Sequence, residues 1–283
     1  MRFLILLCLA IPFHTFAETS VWKVSKGDSE LFIGGTIHVL SADDYPLPDE
    51  FSKAYEQAQI VVLETDLAAM AKPEIQQQLI KRMRYRKGNT VKNDLSEESY
   101  KALSDYLLSI GLSIEMFKQY KVSMIVISLL MNELQRLGMA NTGVDHYFNS
   151  LAKDEGKALS QLESVEVQLD VLENLGKGHE DEIILSTIKE MKELSLIMGS
   201  MKKAWRTGDT QTLEDIGLSP MKRDFPVLYQ LLLVDRNNAW LPKIEALLLT
   251  PEVEFVLMGA LHLVGTEGII TRLQQLGYKV ELY

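Results

Sequence analysis

Two histidines define the chemistry open to this chain. One closes Leu31-Phe32-Ile33-Gly34-Gly35-Thr36-Ile37-His38, the other Glu254-Phe255-Val256-Leu257-Met258-Gly259-Ala260-Leu261-His262. Each is a short apolar run, the pattern of a buried strand, ending in Gly-x-x-His. The glycine allows a tight turn or the close approach of a ligand. The imidazole then falls just past a strand end, where open α/β sheets hold their ligands. A single histidine in that place is usually a hydrogen-bonded structural residue. Two in matching context point to a pair aimed at one site, as metal ligands or as acids and bases near neutral pH.

Carboxylates recur in the same context. Ile60-Val61-Val62-Leu63 runs into Glu64, and Lys157 to Leu162 runs into Glu163. For Glu64, capping the next helix is as open a role as binding a ligand. Two imidazoles and one carboxylate leave an open position on a divalent ion, the catalytic rather than the structural arrangement. His38, Glu64 and His262 are therefore the expected ligands. Glu163 is expected as a fourth ligand or as the base that takes a proton from water. Arg236 is a candidate clamp for a substrate carboxylate or an oxyanion, with Asn237 as an extra donor, and a structural salt bridge is the other reading of Arg236. Asp145 either holds a ligand histidine or caps its own helix. His146, one residue on, is expected on a different side of that helix. There is no His-Glu-x-x-His helix, so the common zincin arrangement is excluded.

The elements that must position these groups read as an α/β domain. Val21 to Val24 and Leu31 to Thr36 are strands around a Lys26-Gly27-Asp28 turn. A helix over Asp49 to Ala58 leads to the Ile60–Leu63 strand. From Lys72 onward the apolar spacing is helical, with a long core helix from Phe117 to Leu137. Helices follow over Asp145 to Glu155, Val165 to Leu175, Asp181 to Arg206 (one long helix) and Asp235 to Leu249. The second Gly-x-x-His strand, a helix from Gly265 to Leu276 and a last strand over Lys279 to Leu282 close the chain. No Pro/Gly/Ser-rich linker divides it, so one domain over residues 18–283 is expected. Its sheet comes from strands at both ends, with a helical insertion over about residues 70–250.

Residues 1–17 have the layout of a secretory signal peptide: Met1-Arg2, the apolar stretch Phe3 to Phe13, then Thr15-Phe16-Ala17. The expected home is the periplasm of a Gram-negative cell, or secretion. Cys8, the only cysteine, falls within that leader, so an ion would be held by His, Asp and Glu alone, which suits Mn, Co or Zn. The mature chain has no stretch long and apolar enough to span a membrane. A formal charge of −10 argues against nucleic acid as the partner and leaves a peptide or small-molecule substrate.

The chain resembles the TraB/GumN family, related to the Tiki metalloproteases of animals. The resemblance rests on Gly35-Thr36-Ile37-His38, Leu63-Glu64, Gly143-Val144-Asp145, Leu162-Glu163 followed by Gln168-Leu169, Arg236-Asn237 with Trp240, and Gly259-Ala260-Leu261-His262-Leu263-Val264-Gly265. It runs in order over the mature chain. It implies a fold of two pseudo-repeated halves shared with erythromycin-esterase and ChaN-like proteins, and a metal-dependent hydrolase with peptides as substrates. Other readings are a hydrolase of esters and a non-catalytic periplasmic protein that binds haem or peptides.

Overall fold

The computed structural model describes residues 19–139 and 141–283. The expected signal peptide, with Cys8, lies outside the described residues. Val21–Lys26 (β1) and Ser29–Thr36 (β2) form a hairpin closed by Gly27 and Asp28, and Gly27 takes the φ of +63° that a two-residue hairpin turn requires. Val39–Leu40 (β3) pairs with Asn141–Thr142 (β5) as a two-stranded ribbon. Ile60–Leu63 (β4), Ala158–Gln161 (β6), Glu254–Gly259 (β7) and Lys279–Leu282 (β8) complete the strands.

The main sheet has the order β6-β4-β7-β2-β1-β8. Its first four strands are parallel, and β1 runs antiparallel to both β2 and β8. β7 is central and buried on both faces, which explains its uninterrupted apolar run Phe255-Val256-Leu257-Met258. Gly34 is where β2 meets it closely: a Cβ there would stand 2.9 Å from the side chains of Leu257 and Phe255. On the face of the sheet to which Phe255 points, Phe51, Phe148 and Trp205 pack with it as one buried aromatic cluster. Trp205 also ties its helix to the site-bearing strand, because its indole N–H donates to the Gly35 carbonyl at 2.6 Å.

The helices between β4 and β7 carry an apolar cluster of their own, with Leu103, Leu107, Ile125 and Ile184 at its centre. Two helices differ from the sequence reading. The one expected from Phe117 begins at Val122, because the backbone just before it is committed elsewhere. Gln119 O accepts from Tyr85 N, Lys118 O from Val91 N, and Lys121 N donates to Met83 O. The long helix expected from Asp181 to Arg206 is two, Glu180–Met191 and Leu194–Arg206. Met191 and Leu194 on either side of the break are both buried against Leu134 and Met139, a packing that a continuous apolar period does not reveal.

Four neighbouring parallel strands thus end on one edge of the sheet, and just past their ends come His38, Glu64, Glu163 and His262. This is the edge at which open α/β sheets bind ligands.

Candidate active site

The ladder between β4 and β6 continues beyond the strands proper. Leu162 N donates to Leu63 O at 2.9 Å and Glu163 N to Glu64 O at 2.8 Å, which sets the two carboxylates side by side. On the other side of β4, Gly259 N donates to Glu64 Oε1 at 2.7 Å. Glu64 is therefore fixed by the backbone of the strand that delivers His262. Gly259 is also the point where the ligand-type groups converge. A Cβ there would stand 3.3 Å from Glu64 Oε1, 3.6 Å from His262 Cδ2 and 3.7 Å from His38 Nε2. Only glycine leaves that space open.

Each imidazole is oriented by a partner at Nδ1. For His38 it is Asp145 Oδ1 at 3.1 Å. For His262 it is Asn237 Oδ1 at 2.7 Å. The amide of Asn237 donates to His262 O and Glu267 O, so its oxygen accepts and His262 carries its proton on Nδ1. In both rings Nε2 is the nitrogen turned away from the buttressing partner. Asp145 reaches His38 because the chain at Gly143 lies directly against the His38 backbone. A Cβ on Gly143 would fall 2.1 Å from Ile37 O and 2.4 Å from His38 O, and Val144 N donates to Ile37 O at 3.1 Å. That contact is the physical content of Gly143-Val144-Asp145.

Arg236 sits amid the carboxylates. Its Nη2 donates to Glu64 Oε2 at 2.6 Å, Glu163 Oε1 at 2.8 Å and Gln168 Oε1 at 3.2 Å, and its Nε to Glu163 Oε2 at 3.1 Å. Nη1 makes the longest contacts, to His262 Nε2 at 3.2 Å and Leu232 O at 3.4 Å. Trp240, one helical turn on, donates its indole N–H to Glu163 Oε2 at 3.0 Å and stacks on both the guanidinium and the His262 ring. A π-helical stretch, Gln230–Val234, immediately precedes the helix Asp235–Leu247 that carries Arg236, Asn237 and Trp240; such irregular turns are frequent at functional sites.

The electrostatics follow from these contacts. The charge of Asp145 raises His38 to about 9, against a smaller opposing effect of burial. Its side chain is nevertheless 58% exposed at the rim of the site. Burial lowers His262 to about 3, so that ring is neutral at physiological pH. Burial alone would raise Glu64, but Arg236 and the two histidines outweigh it and hold the carboxyl at about 2. Glu163 is raised, because burial outweighs its bonds to Arg236.

Five of the six sequence-expected site residues, Glu64, Glu163, Arg236, Asn237 and His262, are joined in one hydrogen-bond network, and the sixth, His38, bonded to Asp145, approaches it at Gly259. The reading of Arg236 as an ion-pair partner describes its contacts. Among the described residues no three His, Cys, Asp or Glu side chains stand close enough together to hold a metal ion in this arrangement, and the Arg236 guanidinium is the cation that bridges Glu64, Glu163 and His262. The donor types themselves suit a divalent ion: two buttressed imidazoles and a carboxylate. His146, expected on another side of the helix from Asp145, is exposed where Asp145 is buried, and it borders the cleft that His38 and Glu64 also line. Gln168 and Trp240 had no role assigned from the sequence; both touch the Arg236 guanidinium, and a polar or aromatic residue one helical turn from a site residue is the signal that could have found them.

A sequence model described as the TraB/PrgY/gumN family matches residues 20–282. The chain is 27% identical over 241 residues to an uncharacterized protein, YbaP, of Escherichia coli K12, covering 84% of this chain and 86% of that protein. The Shigella flexneri YbaP, likewise uncharacterized, matches with the same identity and coverage. No solved structure matches.

Proposed function

The chain belongs to the TraB/PrgY/gumN family, and we propose that it is a metal-dependent hydrolase, with peptides as its substrate class. The observation that carries this reading is the convergence of His38 Nε2, Glu64 Oε1 and the His262 ring within 3.7 Å of the position a Gly259 Cβ would take. His38, Glu64 and His262 would hold the ion, Mn, Co or Zn, and the buttresses Asp145 and Asn237 support that role. The chemistry a divalent ion supplies there is polarisation of a carbonyl and acidification of water. Loading the site requires the Nε2 proton of His38 to leave.

The remaining groups act around that centre. Glu163 is the proton acceptor: burial strengthens it as a base, and its Oε1 accepts only one hydrogen bond, from Arg236. Arg236 offers Nη1, its least engaged nitrogen, to negative charge developing on a substrate oxygen. Asn237 fixes the His262 tautomer and ring plane. With residues 1–17 as a signal peptide, the enzyme works in the periplasm or outside the cell.

The test is hydrolysis of a defined peptide mixture by the purified mature protein, with Mn²⁺, Co²⁺ or Zn²⁺ and after chelation. Metal-stimulated cleavage that His38→Ala and His262→Ala each abolish is the expected result. Cleavage indifferent to chelator, or unchanged in both variants, contradicts it.

A further inference from the structure

Beside His38 and Glu64 a cleft of about 330 Å³ opens to solvent, at the small end of ligand-site volumes. Its lining is mixed. Leu63 at the end of β4, then Leu67, Met70 and Ala71 from the short helix Leu67–Met70 and its end, supply the apolar part. His38, Asp145, His146 and Gln168 supply the polar part, with Gln76, whose amide donates to Met70 O at 2.7 Å. The charged groups bordering the cleft are engaged with protein partners: Glu64 with Arg236 and Gly259 N, and His38 with Asp145 as an ion pair. Among the described residues no lysine or arginine lines it. A charged substrate group placed against Leu67, Met70 and Ala71 would be desolvated without a partner, which disfavours it.

We infer that this cleft is a specificity pocket for an uncharged aliphatic side chain next to the bond that is cleaved, with Met70 and Ala71 setting its size. The inference rests on the hydrolase reading for which bond is cut, and on the cleft itself for what is bound. The geometry links the two, since Glu64 belongs both to the converging centre and to the cleft floor, with Leu63 and Thr65 as its chain neighbours there. Thr65 also lines the cleft, and its buried hydroxyl has no hydrogen-bond partner among the described residues. Met70 is unbranched and adapts its shape to what it contacts.

Binding and turnover separate the two ideas. N-acetyl amides of leucine, phenylalanine, lysine and aspartate are titrated into the protein by NMR, and the matching N-acetyl dipeptides are assayed for cleavage. N-acetyl-leucinamide is expected to bind at least about tenfold tighter than the lysine and aspartate amides. Ala71→Trp, at an exposed position where a large side chain folds without strain on the core, should remove that preference. Met70→Ala should move it from leucine toward phenylalanine. Equal binding of all four amides, or leucine binding unchanged in Ala71→Trp, overturns the pocket, and it does so even if every dipeptide is cleaved. Leucine-selective binding that Ala71→Trp abolishes supports the pocket even if no dipeptide is cleaved, in which case the hydrolase reading alone falls.

Discussion

His38 and His262 are reached by the same spacing from a glycine on neighbouring parallel strands, yet they are built into opposite settings. His38 stands at the exposed rim beside the Asp145 carboxylate and is held as a cation. His262 is buried under Trp240, beside the Asn237 amide and the Arg236 guanidinium, and is held neutral. One repeated motif therefore yields one solvent-facing imidazole and one buried in the core. The difference lies in what packs on each strand end. The first copy meets a short helix start at Gly143, and the second meets a whole helix carrying Arg236, Asn237 and Trp240.

The buried side should break hardest. Arg236→Ala leaves Glu64 and Glu163 side by side, buried and without their cation, and is expected to cost about 3–5 kcal/mol in urea unfolding. Next comes the joint that serves the exposed side. In Gly143→Ala the new Cβ cannot coexist with the Ile37 and His38 carbonyls, and a loss of about 1–3 kcal/mol is expected, with the His38 NMR signal displaced. The histidines themselves should then differ. His262→Ala leaves Asn237 Oδ1 without its donor and opens space under Trp240, for about 1–3 kcal/mol, whereas His38→Ala, at the exposed rim, opens no buried space and should cost less.

The smallest effect is the sharpest on the comparison, a titration of the chelated protein. His38 should titrate near 9 and His262 should stay neutral down to about 3. The signs of the stability contributions oppose. A raised folded pKa means that His38 stabilises fully below its unfolded value of 6.5, and that this is lost as pH rises through about 9. A lowered one means that the contribution of His262 is present above 6.5 and lost as pH falls toward 3. Asp145→Asn should return His38 toward 6.5 and remove the alkaline loss while leaving the acid one; an alkaline limb that survives it would assign that limb to another group.

What the sequence disclosed and what it hid follow the same division. The strand ends were legible because each is a short apolar run stopped by a residue with chemistry: Leu63 before Glu64, Leu162 before Glu163, Gly259 before His262. Periodicity also placed the helices, but not the break between Met191 and Leu194, which no glycine or proline marks. The contacts of Arg236 were out of reach of local patterns, since Glu64 is 172 positions away and the guanidinium is aimed by tertiary packing. Gly143 looked like a helix start; its close approach to His38 appears only when the two segments are seen together.

The most direct test of the account is divalent-metal affinity of the mature protein, measured by calorimetry with Mn²⁺, Co²⁺ and Zn²⁺ for wild type and for His38→Ala/His262→Ala, with circular dichroism confirming the fold of both. The account predicts one ion bound per wild-type chain and binding lost in the folded double variant. Equal affinity in the two proteins, or no binding of any of the three ions to the wild type, would contradict it and leave the paired histidines as hydrogen-bond partners of Asp145, Asn237 and Arg236.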